Sequence, residues 1–441
     1  MKYSTDTRTI QPGEIYVAIR GERFDGHRFI PQALEKGAAG LVIDRDISHL
    51  AIPEGLPVTR VEDCTTYLAE MAKQRLQQYK TTCVAVTGSV GKTTTRSAIA
   101  AVLGEISPVL TPEGNLNTLL GLSLTVLNHL ESPEQMFVYE AGAYQRGDIA
   151  LICRYFPPHV AVVTNVHPVH LERMGSMENI KLAKQELVEA VPEGGCACLN
   201  YDDPRVRSMA AACKGRVIFY GRQGGAQITP QFLRLDRILQ DSAVLGSYRV
   251  ETILAAVSTG IGLDYPLELL LRGAARIQPE KGRLQKLKGK NGIVLLDDTY
   301  NAAPVSMQAA LDVLRKLPAE QRIAFLGDML ELGEYEAESH RQVLCYALDV
   351  ADRIILVGER MRKAAEELHL AHEPGISLFN DSKELAEALA RGEVYQPHAG
   401  DCVLAKGSAG MRMERVIACL LSPEINPAEV LVRQEAGWQD H

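Results

Sequence analysis

The sequence lacks several patterns that mark common classes of protein. Among its 441 residues there is no stretch rich in Lys and Arg, and the formal net charge is −8, which argues against nucleic acid as a partner. No run approaches the roughly 18 apolar residues that a membrane span needs. The first residues, Met1-Lys2-Tyr3-Ser4-Thr5-Asp6, contain no apolar segment typical of a signal peptide. These absences predict a cytoplasmic protein with no membrane partner.

Cysteine patterns that would indicate a zinc ribbon are also missing. The nine cysteines are scattered, and no CxxC pair occurs. The one close pair, Cys196-Ala-Cys198, lies in an apolar run, and alternate residues of a strand share a face. We therefore expect both thiols to be small core groups, reduced as in other cytoplasmic proteins.

What the sequence does contain is apolar material for several hydrophobic cores. Apolar residues make up 46% of the chain, and its length suggests two to four domains. Apolar runs alternate with helical patterns, which is typical of parallel sheets covered by helices on both faces. We predict an α/β fold with three domains: a small α/β unit at 1–79, a central domain with a mostly parallel sheet at 80–282, and a Rossmann-like domain at 283–441.

The strand predictions rest on short apolar runs that are bounded by turn residues. The stretch 224–247 has too weak a pattern to be assigned. Strands are predicted at Glu14–Ile19, Gly40–Ile43, Cys83–Thr87, Met136–Glu140, His159–Thr164, Cys196–Asn200, Val217–Tyr220, Ile293–Asp297, Ile323–Gly327, Ile354–Gly358 and Cys402–Ala405.

The strongest motif is a glycine loop between an apolar strand and a helix. It reads Thr87-Gly88-Ser89-Val90-Gly91-Lys92-Thr93-Thr94. The backbone N–H groups of such a loop, together with the N-terminus of the following helix, form a site for phosphate. Lys92 would reach the β- and γ-phosphates, and the Thr93 hydroxyl would bind Mg²⁺. The general pattern has a glycine where Val86 stands, so this is a shorter variant, and it predicts ATP binding.

Acidic and imidazole side chains follow the next two predicted strands. Glu140 closes one strand, and His167, His170 and Glu172 follow the other. Ligands of open α/β sheets lie beyond the carboxyl ends of the strands, where a carboxylate can hold Mg²⁺. The spacing does not match the HExxH zinc pattern, so we favour a hydrated Mg²⁺ near ATP over zinc.

A further helix is predicted to begin after Ser176, which is a suitable N-cap residue. Lys181 and Lys184 lie three residues apart in this helix and share a face. On pattern alone, this is a basic face in contact with solvent.

Together these motifs resemble those of the Mur ligases, and the resemblance covers nearly the whole chain. The glycine loop is similar to the ATP loop of that family. The segments Thr5–Arg8 and Asp25-Gly26-His27 resemble its UDP-binding N-terminal domain, and Asp297–Pro304 resembles its nucleotide-contacting turn. The run Leu-Gly-Asp-Met-Leu-Glu-Leu-Gly at 326–333, which is typical of the dipeptide-adding member, is the most specific match.

The resemblance implies an activity and a set of site residues. The expected enzyme is a monomeric, ATP-dependent ligase that joins D-alanyl-D-alanine to the peptide carboxylate of a UDP-linked muramoyl tripeptide through an acyl phosphate, with Mg²⁺ as cofactor. The expected ATP contacts are Thr87, Gly88, Ser89, Val90, Gly91, Lys92, Thr93, Thr94, Asp298, Tyr300 and Asn301. The expected substrate contacts are Thr5, Asp6, Thr7, Arg8, Asn115, Asn117, Lys406 and Ser408.

Four residues carry the chemistry that the resemblance implies. Lys92, Glu140, His170 and Lys184 are the expected catalytic residues. Glu140 and His170 fall where the family places magnesium ligands, with Thr93 as a further ligand. Lys184 falls where the family carries a carbamoylated lysine, which would turn a cation into an anionic metal ligand.

Two alternatives remain open at this stage. One is another ligase of the same superfamily, such as a folylpolyglutamate synthase or another amino-acid-adding Mur enzyme, although the folate enzyme lacks a UDP-binding domain. The other is a non-catalytic paralogue that binds a UDP precursor or ATP. This second alternative is motivated by departures from the family pattern at Thr118, Tyr248, Arg249, Thr252 and Ala303. Steady ATPase activity that depends on both substrates would distinguish a ligase from a binding protein.

Overall fold

The computed structural model describes residues 2–21, 24–114, 116–168, 171–235 and 247–434. Within these ranges the chain forms three sheets, each with its own order of strands. None of the helices in the described ranges combines the length and apolar character that a membrane crossing needs. The predicted α/β architecture with parallel sheets is therefore confirmed, whereas the limits at 79/80 and 282/283 stay predictions.

The N-terminal unit is a four-stranded parallel sheet with strands in sequence order. Its strands are β1 (Tyr3–Ser4), β2 (Ile15–Val17), β3 (Gly40–Ile43) and β4 (Val58–Arg60), and its helices are α1 (Ile30–Glu35) and α2 (Cys64–Tyr79). Asp63 caps α2 by accepting a hydrogen bond from the Thr66 N–H, which satisfies one of the donors left free at a helix start.

The central sheet has six parallel strands in the order β10-β9-β8-β5-β7-β6. The strands are β5 (Cys83–Thr87), β6 (Val109–Leu110), β7 (Met136–Glu140), β8 (Val160–Val163), β9 (Cys196–Asn200) and β10 (Arg216–Tyr220). The helices are α3 (Lys92–Leu103), α4 (Leu119–His129), α5 (Asp148–Tyr155), α6 (Leu171–Met174), α7 (Met177–Glu189), α8 (Pro204–Ser208), α9 (Pro230–Leu233), α10 (Ser247–Gly262) and α11 (Leu267–Ala275).

Both faces of the central sheet are buried, as the continuous apolar strands predict. Along β5, Cys83 and Ala85 pack into one hydrophobic core, whereas Val84 and Val86 pack into the other. This alternation follows from the two-residue period of a strand. Because both faces are covered, the carboxyl ends of the strands are the part of the sheet left open to a ligand.

The C-terminal sheet also has six strands, in the order β11-β12-β16-β13-β14-β15, and its edge strand β11 runs antiparallel to β12. The strands are β11 (Gln285–Lys288), β12 (Val294–Asp298), β13 (Arg322–Gly327), β14 (Arg353–Val357), β15 (Ile376–Phe379) and β16 (Cys402–Lys406). The helices are α12 (Pro304–Lys316), α13 (Glu336–Leu348), α14 (Glu359–Glu367), α15 (Ser382–Ala390), α16 (Glu414–Leu420) and α17 (Pro427–Val430).

The N-terminal unit is attached to the central unit through α2, which packs against α4 in a shared hydrophobic core. The side chain of Asn128, on α4, continues the backbone pairing of β1. It accepts a hydrogen bond from the Tyr3 N–H at 2.8 Å and donates one to the Tyr3 carbonyl at 2.8 Å. The exposed edge of β1 is therefore satisfied by a side chain of the neighbouring unit.

The close pair Cys196 and Cys198 occupies the core position that the sequence predicts. Cys196 and Cys198 lie on β9 and are buried, and their thiols face Gly262 of α10. All nine cysteines have free thiols; six are buried, and Cys345 on α13 is the exposed one. The prediction that Cys196 and Cys198 are core residues is confirmed.

Candidate active site

The glycine loop after β5 has a backbone that requires glycine at two positions. Gly88 has φ +156°, and a Cβ there would lie 1.9 Å from the Thr164 hydroxyl oxygen. Gly91 has φ +81°, in the left-handed region, and immediately precedes α3. The loop is therefore shaped so that its backbone approaches a neighbouring strand end and then opens a helix, as a phosphate site needs.

The segment after β8 holds this loop in place. The Asn165 side chain accepts a hydrogen bond from the Val90 N–H at 2.9 Å and donates one to the Val90 carbonyl at 3.0 Å. The Ser89 hydroxyl accepts from the His167 N–H at 2.8 Å and donates to the His167 carbonyl at 2.9 Å. Asn165 has no place among the predicted site residues, yet it fixes the loop that would hold phosphate.

Lys92, the first residue of α3, folds back over the loop. Its ammonium group donates a hydrogen bond to the Gly88 carbonyl at 2.9 Å. Burial lowers the pKa of Lys92, the nearby positive charge of Arg283 lowers it further, and Glu140 opposes both by favouring the charged form. The ammonium group is thus positioned at the loop with only one backbone partner recorded among the described residues.

Glu140 lies at the carboxyl end of β7, as predicted, and is only 5% exposed. Its carboxylate lies 3.5 Å from the guanidinium group of Arg96, which also donates to the Pro112 carbonyl at 2.8 Å. Arg96 is four residues after Lys92 on α3, so the two cations share a helix face. Neither the sequence motif nor the resemblance had indicated Arg96.

Lys184 and Lys92 line the same cavity, whose volume is about 270 Å³. The cavity is also lined by Thr87, Asn117 and Tyr144. Lys184 is on α7, which begins after the N-cap residue Ser176 as predicted. Burial, and secondarily the charge of Lys92, lowers the pKa of Lys184 to about 7. The structure therefore separates Lys184, which is buried, from Lys181, which contacts Glu178 at the surface.

The predicted metal ligands are brought together only in part. Thr93 is buried at the start of α3, close to the glycine loop. His170 and Asn115 lie outside the described residues. Among the described residues there is no group of three or more His, Cys, Asp or Glu side chains arranged to hold a metal ion. Mg²⁺ bound beside a nucleotide commonly takes part of its coordination from phosphate oxygens.

The turn after β12 is fixed by a buried ion pair. Lys406, at the end of β16, lies 2.6 Å from Asp298 and donates a hydrogen bond to the Asn301 carbonyl at 2.8 Å. Asp298 also accepts from the Leu284 N–H at 3.1 Å. Both side chains are thus engaged within the protein. This geometry gives Lys406 and Asp298 a role in shaping the turn. It does not test their predicted contacts with substrate and nucleotide.

Tyr300 follows in the same turn and is stacked against two guanidinium groups. The Arg283 guanidinium carbon lies 3.9 Å from the centre of the Tyr300 ring, and that of Arg433 lies 5.5 Å from it. Arg283 also donates a hydrogen bond at 3.4 Å to the hydroxyl of Thr93, in the central unit. Its Nε is buried without a hydrogen-bond partner. The sequence carries no motif at Arg283, and only the fold reveals this contact.

The run at 326–333 also reaches the glycine loop. Leu330, Glu331 and Leu332 line a cavity of about 120 Å³ together with Lys92 and Asn301. Ser408 supports this run, because its hydroxyl accepts a hydrogen bond from the Leu330 N–H at 2.9 Å. Ser408 is buried, so its side chain positions the run that borders the cavity.

The predicted UDP-binding residues lie in the N-terminal unit, after β1. The Thr7 hydroxyl donates to Gln32 at 2.7 Å, and Arg8 forms an exposed ion pair with Asp6 at 2.6 Å. Thr5 is half-buried in the same segment. None of these four residues lines either cavity beside the glycine loop. Asn117 does line the larger one, so it is the predicted substrate contact that the fold brings to Lys92 and Lys184.

Family comparisons cover most of the chain. Residues 3–76 match the model described as Mur ligase family, catalytic domain. Residues 86–259 match the Mur ligase middle domain, and residues 282–409 match the Mur ligase, glutamate ligase domain.

Individual relatives match over nearly their whole length. The UDP-N-acetylmuramoyl-tripeptide–D-alanyl-D-alanine ligase of Bacillus subtilis (strain 168) is 32% identical, over 96% of this chain and 93% of the relative. The ligase with the same name from Synechocystis sp. is 34% identical, over 97% of this chain and 92% of the relative.

Solved structures agree with these matches. The MurF ligase of Thermotoga maritima in complex with ADP superposes with a TM-score of 0.80 at 28% identity, covering 95% of this chain and 96% of that chain. A folylpolyglutamate synthase of Mycobacterium tuberculosis shares only the fold, with a TM-score of 0.58 at 11% identity. It covers 80% of this chain and 93% of that chain.

Proposed function

This chain belongs to the Mur ligase family, and from that premise we propose that it joins D-alanyl-D-alanine to the peptide carboxylate of UDP-N-acetylmuramoyl-tripeptide at the expense of ATP. The observation that carries the proposal is the cavity beside the glycine loop, which is lined by the half-buried Lys92 and the buried Lys184. The Lys92 ammonium group favours an anionic occupant of this cavity, and the γ-phosphate beside the substrate carboxylate is such an occupant. We propose that the reaction takes place in the cytoplasm, because its substrates are ATP and a UDP-linked precursor.

Amide formation from a carboxylate requires activation, because the oxide is a poor leaving group. In the proposed reaction a carboxylate oxygen attacks the γ-phosphorus of ATP, the bond to the β,γ-bridging oxygen breaks, and ADP leaves. The dipeptide amine then attacks the acyl carbon of the acyl phosphate, inorganic phosphate leaves, and the amine nitrogen loses a proton. The first step needs positioning and neutralisation of charge more than covalent help from the protein.

The cations around the glycine loop suit this first step. Lys92 begins α3 beside the loop and can follow the negative charge of the transferred phosphoryl group. Arg283 lines the second cavity beside the same loop and contacts Thr93. We propose that Arg283 turns from the Thr93 hydroxyl to the phosphate oxygens when nucleotide binds, because its guanidinium group retains an unpaired buried N–H.

Mg²⁺ would neutralise phosphate charge, and two described side chains fit it. The Thr93 hydroxyl begins a helix next to the glycine loop, which is the usual position for a Mg²⁺ ligand beside a nucleotide. Glu140 supplies a buried carboxylate that is only partly neutralised by Arg96 at 3.5 Å. We propose these two residues as ligands, with His170 as a third.

The lowered pKa of Lys184 favours formation of the proposed carbamate on its side-chain nitrogen. An amine reacts with CO₂ only in its neutral form, giving R–NH–COO⁻ and one proton. A pKa of about 7 leaves a large neutral fraction at neutral pH. With ¹³C-bicarbonate, we expect a carbamate carbon signal in the wild-type protein and in Lys181→Ala, and no such signal in Lys184→Ala. A signal that persists in Lys184→Ala would show that the carbamate forms elsewhere.

The proposed function is tested by release of phosphate from ATP and Mg²⁺, with UDP-N-acetylmuramoyl-tripeptide and D-Ala-D-Ala added separately and together. We expect steady release only when both are present, and a loss of about 10³-fold or more in Lys92→Ala. Lys181→Ala is the matched control, because that side chain contacts only a surface glutamate among the described residues. Binding of the UDP precursor without phosphate release under any combination would favour the non-catalytic alternative.

A further inference from the structure

The last described segment of the chain, 422–434, folds back over the C-terminal sheet toward the junction with the central unit. Leu431 is buried in the core of the C-terminal unit. A Cβ built on Gly282, at the junction, would lie 3.2 Å from a methyl carbon of Val432 and 3.1 Å from the Tyr300 nitrogen. The segment therefore packs against both the junction and the turn that carries Tyr300.

Arg433 joins this segment to the Thr299–Tyr300 turn through hydrogen bonds. Its guanidinium group donates to the Thr299 carbonyl at 3.2 Å and to the Tyr300 carbonyl. It also pairs with Glu414 at 3.1 Å, and both side chains are at least 90% buried. Glu414 is paired on its other side with Arg412 at 2.5 Å. One side chain thus fixes two consecutive carbonyl groups of the turn, and the rigid fork of a guanidinium group suits this because its two terminal nitrogens each reach one carbonyl.

These contacts form a continuous path to the glycine loop. Arg433 holds the backbone of Tyr300 and also lies over its ring, and Arg283 packs closely against the same ring. Arg283 in turn reaches Thr93 at the start of α3. The described C-terminal segment is therefore linked to the phosphate site through two intermediate side chains, although Arg433 itself touches neither cavity beside the glycine loop.

We propose that Arg433 is a positioning residue for phosphoryl transfer. It fixes the Thr299–Tyr300 backbone so that the Tyr300 ring supports the guanidinium group of Arg283 against the glycine loop. The proposal rests on the proposed function, in which Arg283 contacts the transferred phosphate. The part of the chain that positions this cation is thus a C-terminal segment that follows the last strand of the Rossmann-like sheet.

A double-mutant cycle separates this role from general support of the fold. Arg433→Met is expected to lower kcat for substrate-dependent phosphate release about tenfold and to weaken binding of a fluorescent ADP analogue, while KM for the UDP-linked substrate stays within about twofold. In the Arg283→Met background, Arg433→Met is expected to have little further effect on kcat. Equal fold-losses in both backgrounds would overturn the proposal.

Two further variants make the test independent of folding defects. Arg433→Lys keeps a cation beside Glu414 but lacks the rigid fork that holds both carbonyls and the planar group that lies over Tyr300, so we expect it to restore the urea midpoint without restoring kcat. Glu424→Gln removes the exposed contact of the same segment with Lys288 at 3.0 Å and is expected to leave kcat unchanged. Full recovery of kcat in Arg433→Lys would contradict the positioning role.

Failure of the proposed function gives a different pattern. In that case the wild-type protein would release no substrate-dependent phosphate. The cycle would then be measured through ADP-analogue affinity alone, where coupling between Arg283 and Arg433 supports the positioning path and additivity contradicts it.

Discussion

The central and C-terminal units both collect charged side chains at the carboxyl ends of their strands, but they treat those charges differently. In the C-terminal unit, Lys406 pairs with Asp298, and Glu414 lies between two arginines. In the central unit, Lys92 has one backbone partner, and Lys184 has no hydrogen bond or ion pair with any described residue. Both lysines face a cavity instead.

This difference indicates which unit is built for an anionic ligand. Paired buried charges satisfy one another and fix the backbone around them, whereas an unpaired buried cation is unfavourable until a ligand neutralises it. Strongly shifted pKa values in a cavity are a common mark of functional sites for this reason. The C-terminal unit therefore uses its buried charges to fix the backbone, whereas the central unit presents two lysines that have no ion pair with a described residue to a cavity.

The largest expected effect comes from exchanging the two buried lysines for methionine. Lys406→Met leaves the Asp298 carboxylate buried without its partner, so we expect a loss of about 3–5 kcal/mol in the free energy of unfolding. Lys184→Met removes a cation that burial disfavours, so we expect no loss or a gain at pH 7. Urea unfolding in bicarbonate-free buffer measures both. Similar losses in the two variants would contradict the comparison.

The effect of Lys184→Met has a predictable pH dependence. The folded pKa of Lys184, about 7, lies below its ordinary value of 10.5. The unfolded chain therefore binds more protons between these values, and the stability of the wild-type protein rises with pH across that window. Any advantage of Lys184→Met is largest at and below pH 7 and shrinks as the pH approaches 10.5.

A smaller effect is expected at Asp297, which is the exception among the charges of the C-terminal unit. One of its oxygens accepts hydrogen bonds from the Thr299 N–H and hydroxyl, but the other is buried without a partner. Burial raises the pKa of Asp297 to about 6. Because this exceeds the unfolded value of 3.8, wild-type stability falls as the pH rises from 3.8 to 6.

Asp297→Asn is therefore expected to raise the free energy of unfolding by roughly 1–2 kcal/mol at pH 8, with a much smaller difference at pH 4.5. Thermal or urea unfolding at the two pH values measures this change. A variant that is destabilised at pH 8 would show that the charged carboxylate has a favourable partner.

The smallest expected effect on stability comes from uncharged residues at two helix N-caps, one in the central unit and one in the C-terminal unit. Thr118 caps α4 through its hydroxyl, which accepts from the Gly121 N–H at 3.2 Å. Ala303 occupies the corresponding position before α12 and has no capping side chain. We expect Thr118→Ala to cost about 1 kcal/mol and Ala303→Ser to gain up to about 1 kcal/mol. Unfolding measurements that give both changes the same sign would be inconsistent with this assignment.

The parts of the fold that sequence patterns predict well are the long buried strands. The predicted limits of β5, β7 and β9 are those observed, because continuous apolar runs between turn residues leave little ambiguity. The strands β1, β4 and β6 have two or three residues each and were missed, since so few residues give no period. The edge strand β11, Gln-Lys-Leu-Lys, was missed because its polar residues suit an exposed edge.

The site residues show the same difference between features that a local sequence pattern predicts and features that it does not. The glycine loop is contiguous in sequence, so its motif predicted its position and shape. The contact between Arg283 and Thr93 joins residues that are 190 positions apart, and no local sequence pattern predicts it. Lys184 could be told from Lys181 only through the family resemblance, because the burial that separates them depends on packing of α7 against the sheet.

The distribution of exposed and buried thiols provides a site for a fluorescent label that reports conformational change. Cys345 is the exposed cysteine and lies on α13 of the C-terminal unit, while burial raises the pKa of thiols such as Cys83 and Cys402. A maleimide dye should therefore attach first at Cys345 in the unmodified protein. Its fluorescence would then report how the labelled unit reorients when nucleotide and precursor are added.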